Sequence, residues 1–156
     1  ELAEAMLQTE AEPEPTPLRP PLRGAVDEVG GTYARGTVSI EGALPDAEVL
    51  GDEMLSSVFR NVIENGIEHN QGEAHVRVSA TEGDDSVVVS VTDDGPGIPE
   101  ELASEVFDRA AKGLDSDGTG IGLYLVATLV ERYGGDVRIA ETGPDGTTVE
   151  IELPIA

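Results

Sequence analysis

Two glycine turns constrain this sequence more than any other feature, because each is joined to a regular element of a different kind. The first, Asp93-Asp94-Gly95-Pro96-Gly97-Ile98-Pro99, follows Val87–Val91, a β-branched run that reads as a buried strand. Asp93 is therefore expected at a strand end, where ligands of α/β sheets usually lie. The second, Gly118-Thr119-Gly120-Ile121-Gly122-Leu123, runs into a predicted helix over 121–132. In it Ile121, Leu125, Val126, Leu129 and Val130 recur at helical spacing, and Gly134-Gly135 supplies the stop. A glycine-rich loop opening a helix presents backbone N–H groups and the positive end of the helix dipole, which suits phosphate.

Another helix with a chemical face is expected from Asp52, as N-cap, to about Glu68. Leu55, Val58, Phe59, Val62 and Ile63 form its apolar stripe, and the opposite face carries Asn61, Glu64, Asn65 and Glu68. Asn61 and Asn65 stand one turn apart, so their carboxamides point the same way. Carboxamide oxygens suit Mg²⁺, a hard cation that takes oxygen ligands, and they add no negative charge beside a triphosphate. On the residues alone a solvated polar face stays open as the alternative.

The remaining segments are simpler to place. Ala74–Ala80 alternates, with Val76, Val78 and Ala80 inward and His75, Arg77 and Ser79 outward, and Glu82–Asp85 turns it into Val87–Val91 as a hairpin. Val137–Ala140 and Thr147–Leu153 flank the Gly143–Gly146 turn as a second hairpin. Thr37–Ile40 reads as a short strand, Ala43–Asp46 as a turn, and Leu22–Val29 as a helix ended by Gly30-Gly31. Five prolines between Pro13 and Pro21 make Glu10–Pro21 an extended linker. Ahead of it, Leu2, Ala5 and Met6 are helically spaced, as in a cut helix. The domain boundary is expected at Pro21.

Charge narrows the partners. The chain of 156 residues, suited to one domain with its own core, carries 32 acidic residues against 9 basic, a formal net charge of −23. Nucleic acids and anionic membranes are disfavoured as partners. Because the acid is spread along the chain and salt shortens the Debye length to about 3 Å near 1 M, a high-salt, halophilic archaeal cytoplasm is the expected setting. The absence of cysteine excludes disulfides and thiolate metal sites. No apolar run approaches the roughly 18 residues that a membrane helix needs, and no secretory leader opens the chain, so a soluble, cytoplasmic segment is expected, with membrane anchoring of a longer protein left open.

The glycine turns fit neither of the commoner nucleotide signatures. Leu123 stands where the third glycine of the dinucleotide fingerprint belongs, and no lysine follows Gly118 as a P-loop requires. There is also no Val-Ala-Ile-Lys strand and no His-Arg-Asp loop, which excludes a protein-kinase fold. What remains is Asn-x-x-x-Asn on a helix, Asp-x-Gly-x-Gly after a strand, Phe107, Gly-x-Gly-x-Gly before a helix, and Asp145-Gly146-Thr147-Thr148. In this order the motifs resemble the asparagine, first glycine, phenylalanine and second glycine boxes of the ATP-binding catalytic domain of sensor histidine kinases. That superfamily includes gyrase, the heat-shock chaperone ATPases and the mismatch-repair ATPases.

The resemblance covers roughly Leu18–Pro154 and implies the Bergerat-type α/β fold, a two-layer sandwich with a mixed, mainly antiparallel sheet on three helices. It implies Mg²⁺ on Asn65, with Asn61 beside the phosphates, and Asp93 accepting from the adenine amino group. Gly95 and Gly97 would let the backbone approach the base, with Ile98 packing nearby and Thr147 on the adenine side. Gly118, Thr119, Gly120, Ile121, Gly122 and Leu123 would close over the phosphates, and Asp108–Asp117 would be a short lid. Three positions depart from the family. Glu68 replaces a lysine that contacts phosphate, for which Arg109 or Lys112 would compensate. His69 takes the place of an aromatic against adenine. Asn61 stands where the hydrolysing relatives keep a glutamate base.

Both histidines, His69 and His75, lie within the ATP domain, and no phosphoacceptor box is present. Residues 1–21 are accordingly expected to be the end of a dimerisation helix and its linker, and residues 22–156 the catalytic domain. The implied activity is binding of Mg²⁺-ATP and donation of its γ-phosphoryl group to a histidine on a separate dimerisation domain, with a response regulator receiver domain as the next partner. A nucleotide-binding or ATP-hydrolysing module of the same superfamily, or a serine-directed switch kinase, are the alternatives.

Overall fold

The computed structural model describes residues 13–32, 36–68, 74–95, 118–143 and 146–156. The elements are β1 (Glu14–Pro17), α1 (Arg19–Thr32), β2 (Gly36–Ile40), β3 (Glu48–Gly51), α2 (Leu55–Glu68), β4 (Ala74–Glu82), β5 (Ser86–Asp93), α3 (Gly118–Arg132), β6 (Asp136–Gly143) and β7 (Gly146–Pro154). Five strands form one sheet in the order β2-β4-β5-β7-β6, with β2 parallel to β4 and the remaining neighbours antiparallel. Both expected hairpins are present, β4 with β5 and β6 with β7.

Period-two alternation fixes which face of the sheet is covered. Val87, Val89 and Val91 of β5 and Val149, Ile151 and Leu153 of β7 are buried, while Val88, Ser90 and Thr92 between them are only half-buried. The run expected to be buried throughout is thus buried on one side. A β-branched residue such as Val88 suits the pleat whichever way it points, so its identity does not report its face. The helices pack as one layer, α1 against β2, α2 against β4 and β5, and α3 against β6 and β7. This is the two-layer sandwich, mixed sheet on three helices, that the resemblance implies.

The α2 stripe emerges as expected, with Leu55, Val58, Phe59, Val62 and Ile63 all buried. Each such side chain stabilises the fold by about 1.5 to 3 kcal/mol. Asp52 heads the helix, its Oδ1 accepting from the Met54 amide at 2.8 Å and its carbonyl from the Leu55 amide at 3.0 Å. On α3 the expected Val126, Leu129 and Val130 are buried, joined by Tyr133, but Leu125 is 37% exposed. Helical spacing places Leu125 near the apolar side without saying how far the neighbouring layer extends.

The proline segment differs from expectation. Glu14–Pro17 pairs antiparallel with Glu48–Gly51, Pro15 opposite Leu50 and Pro17 opposite Glu48, in a separate two-stranded sheet. Proline is compatible with an edge strand because it lacks a donor only on the side that no partner uses. Helix α1 then begins at Arg19, so Pro20 and Pro21 lie in its first turn, where the N–H groups that proline lacks have no intrahelical partner anyway. At its other end α1 runs through Gly30-Gly31 to Thr32. Leu18 and Leu22 are fully buried, so this segment belongs to the core.

Candidate functional site

The sheet delivers Asp93 to the end of β5, as the sequence predicts, and the surrounding backbone closes tightly on it. Asp93 Oδ1 accepts from the Gly95 amide at 2.9 Å, a turn-forming bond that orients the carboxylate. Its neighbour Asp94 accepts from the His75 amide at 3.0 Å, tying the start of β4 to the same corner. Across the sheet Asp93 stands opposite Thr147, which is 4% exposed. Thr92 and Thr148 exchange a hydroxyl hydrogen bond of 3.0 Å beside them.

Two glycines make this corner possible: Gly66 is outside the motif pattern, and Gly146 enters it only as part of Asp145-Gly146-Thr147-Thr148, without its contact to Asp93. At Gly146, with φ +140°, a Cβ would lie 2.0 Å from the Asp93 carbonyl oxygen. At Gly66, in the last turns of α2, a Cβ would lie 3.2 Å from Asp93 Cβ and 3.2 Å from Val76 Cγ2. The helix therefore passes directly over the aspartate. A signal was present in each case. Gly66 interrupts a helix at a cost of about 1 kcal/mol relative to alanine, and each glycine adjoins a candidate site residue, Asn65 and Thr147.

The asparagine face is not the solvated surface that was left open. Asn65 is 7% exposed, and its Oδ1 is buried without a hydrogen-bond partner among the described residues. Leaving a buried acceptor unmade costs about 1 to 3 kcal/mol, so an oxygen kept in that state on a helix beside a strand-end aspartate has the character of a ligand atom. Asn61, one turn earlier and half-buried, donates from Nδ2 to the Ser57 carbonyl at 2.7 Å, which leaves its carbonyl oxygen as the atom it can offer. Glu64 is half-buried between them. Among the described residues no group of three or more His, Cys, Asp or Glu side chains comes together to hold a metal ion. The donor set fits Mg²⁺ held by an amide oxygen and by oxygens of its own ligand and water, a mode this cation prefers.

The second glycine box takes a different form from the expected loop. The backbone from Gly118 through Leu123 is helical and forms the opening turns of α3, so the helix starts three residues ahead of Ile121. Gly97, Ile98, His69, Arg109 and Lys112 lie outside the described residues, as do Phe107 and the 108–117 segment.

At the far end of α2 and α3 the geometry is equally specific. Asp52 accepts from Arg132 Nη2 at 2.6 Å and from the Tyr133 hydroxyl. Burial, and after it the Asp52 carboxylate, push the Tyr133 phenol above its ordinary range, so it donates as a neutral group. A surface cluster on β6 and β7 joins Arg138 to Glu152, Glu150 and Asp136. Hydrogen bonds from Ser86 and Arg138 hold the Glu152 carboxyl below its usual value.

Comparison with known proteins identifies this arrangement. Residues 51–156 match the family model described as histidine kinase-, DNA gyrase B-, and HSP90-like ATPase. The signal transduction histidine-protein kinase AfsQ2 of Streptomyces coelicolor is 36% identical over 67% of the chain and 20% of its own length. The corresponding kinase BaeS of Escherichia coli is 26% identical over 90% of the chain and 32% of its own. Among solved structures, the mycobacterial sensor histidine kinase MprB superposes with a TM-score of 0.78 at 26% identity, covering 92% of this chain and 97% of that one. Full-length ShkA in complex with AMPPNP gives a TM-score of 0.79 at 24% identity, over 94% of this chain and 32% of that one. The chain thus spans about a fifth to a third of the length of the two curated relatives, while the family match takes in the asparagine helix, the Asp93 corner and both later glycine elements. The chain belongs to the histidine kinase-, DNA gyrase B- and HSP90-like ATPase family.

Proposed function

We propose that this chain binds Mg²⁺-ATP and presents the γ-phosphoryl group to a histidine on a separate dimerisation domain, as the catalytic part of a two-component signalling kinase. The observation that carries the proposal is the buried Asn65 Oδ1 without a partner among the described residues, one residue from the glycine on which Asp93 packs. Asp93 would accept from the adenine amino group. A carboxylate has no donor, so it selects a base edge that offers N–H and rejects one that offers a carbonyl. Gly66 lets α2 pass close over the Asp93 side chain, and Gly146 lets β7 approach the Asp93 backbone carbonyl. Asn65 would hold Mg²⁺, with Asn61 beside the phosphates; the bound cation supplies neutralisation of phosphate charge. The amides of Gly118, Thr119 and Gly120, in the first turn of α3 where N–H groups have no intrahelical acceptor, suit the phosphate oxygens.

Asn61 favours transfer over hydrolysis. It stands where the hydrolysing relatives are expected to have a glutamate, and an amide cannot take a proton from water. In-line phosphoryl transfer depends mostly on positioning and charge neutralisation, which this donor set serves. The acidic surface, with a net charge of −23, agrees with a protein partner and disfavours nucleic acid. Among the described residues no helix is long and apolar enough to cross a membrane. A response regulator receiver domain as the next phosphate acceptor, and the residues ahead of β1 as the junction to the dimerisation domain, belong to the same proposal.

The test uses ATP labelled on its γ-phosphate, with the chain alone and then with a purified dimerisation domain carrying a phosphoacceptor histidine. Label should pass to the added domain and stay off the chain itself. Acid-labile label on His69 or His75 would contradict the proposal, and rapid phosphate release would replace it with a hydrolytic function.

A further inference from the structure

Asp52 joins two helix ends. Its Oδ1 takes the Met54 amide and the Tyr133 hydroxyl, and its Oδ2 takes Arg132 Nη2. The Arg132 guanidinium in turn lies 5.8 Å from the centroid of the Tyr133 ring. The carboxylate stands at the entrance of α2, and its two side-chain donors stand at the exit of α3. Because α2 and α3 also pack on each other, entrance against exit makes them an antiparallel pair. They contain 14 and 15 residues, so each is about 20 Å long. At the opposite end of the pair are Asn65, in the closing turns of α2, and Gly118–Gly122, in the opening turns of α3. The Asp52 cluster and the nucleotide site are therefore the two ends of one helical lever.

The exit of α3 is secured twice, and this separates positioning from simple packing. Gly134, at φ +86°, ends the helix, and the Gly135 amide closes back on the Val130 carbonyl at 2.9 Å. At Gly135 a Cβ would lie 2.1 Å from the Glu152 carbonyl oxygen, so the helix end is pressed onto β7. That contact fixes α3 to the sheet, whereas Asp52 fixes it to α2. The second is a polar link at one end of the packed interface between the asparagine helix and the glycine-box helix. The cluster is held even though Arg132 Nε is buried with no partner among the described residues. A buried phenol alone needs a single acceptor, whereas Asp52 gathers donors from both helices.

We propose that Asp52, Arg132 and Tyr133 are positioning residues for the phosphate end of the nucleotide, setting the angle between α2 and α3 from the far end of the pair. This rests on the nucleotide-binding function proposed above. Loosening the cluster lets the glycine end of α3 shift relative to Asn65, while the Asp93 corner, built by Gly66, Gly146 and Thr147 from α2 and the sheet, is untouched. The loss should therefore fall on the γ-phosphate and not on the base.

The experiment is calorimetric titration of the whole chain with ADP and with β,γ-imido-ATP, both with Mg²⁺, well below the melting temperature of every variant. Tyr133→Phe keeps the buried ring and deletes only the hydroxyl; Arg132→Met deletes the ion pair and Arg132→Lys keeps the charge. Tyr133→Phe and Arg132→Met should each reduce the preference for the triphosphate by about tenfold, equivalent to about 1.4 kcal/mol of differential binding. ADP affinity should stay near that of the parent, and Arg132→Lys should recover part of the preference. An unchanged ratio in both variants would overturn the inference, as would equal loss for both nucleotides, which is the signature of a merely loosened fold. A parent chain that binds neither nucleotide would instead overturn the nucleotide reading, and this inference with it.

Discussion

The Asp93 corner and the Asn65 position lie side by side and are built on opposite principles. Asp93 is fixed by its surroundings: it accepts from Gly95, faces Thr147 across the sheet, and is closed in by two glycines with no room for a side chain. Asn65 is buried where Asp93 is half-buried, yet its Oδ1 has no hydrogen-bond partner among the described residues. Folding alone shapes the first, whereas the second keeps a buried acceptor unmade among the described residues, the atom that the proposed function assigns to a ligand. Substitutions of the glycines that shape the first should therefore cost stability, whereas substitutions of Asp93 and Asn65 themselves should cost binding.

The largest stability effect should come from Gly146→Ala, which sharpens the comparison most. It combines a left-handed backbone with a Cβ placed 2.0 Å from the Asp93 carbonyl. We expect destabilisation of about 3 kcal/mol, read as a lower midpoint in urea denaturation. An unchanged midpoint would show that β7 does not press on the Asp93 carbonyl at Gly146.

Asp93→Asn should act next, weakening ATP binding by about 1 to 3 kcal/mol, because an amide N–H is then able to face the adenine amino group in a partly closed pocket. Unchanged affinity by calorimetry would remove Asp93 from the adenine site.

Much of this is legible in the sequence, for reasons visible in particular residues. Alternation in Val76–Ala80 and the 3.6-residue spacing of Leu55, Val58, Phe59 and Val62 are local patterns, and local patterns survive into the fold. The resemblance puts Asp93 and Thr147 at the same base, whereas the pairing of their strands, β5 with β7, is seen only in the fold. What escaped is non-local. Glu14–Pro17 finds its strand partner at Glu48–Gly51, beyond α1 and β2, and its prolines imitate a linker. Gly66 and Gly146 matter only because another backbone passes them, and the burial of Asn65 depends on what covers α2. The Asp52–Arg132–Tyr133 cluster joins residues on two different helices, which no spacing rule connects.

The smallest effect per site, though general, is that of salt. Since 32 acidic residues face 9 basic ones, the melting temperature should rise steadily as KCl goes from about 0.1 M towards 2 M, as screening relieves self-repulsion. The Gly146 and Asp93 variants should rise in parallel with the parent, because repulsion over the surface does not distinguish the two corners. A flat melting temperature over that range would argue against adaptation to high salt.

The central claim, that Asn65 Oδ1 is held for a metal bound with nucleotide, is tested most directly by titrating Asn65→Ala with ATP in the presence and absence of Mg²⁺, alongside the parent. The account predicts that Mg²⁺ tightens ATP binding to the parent and makes no difference to the variant. The variant should also keep the parent's circular dichroism spectrum and lose little stability, since the deleted oxygen made no hydrogen bond within the described chain. A variant that binds Mg²⁺-ATP as tightly as the parent would contradict the claim.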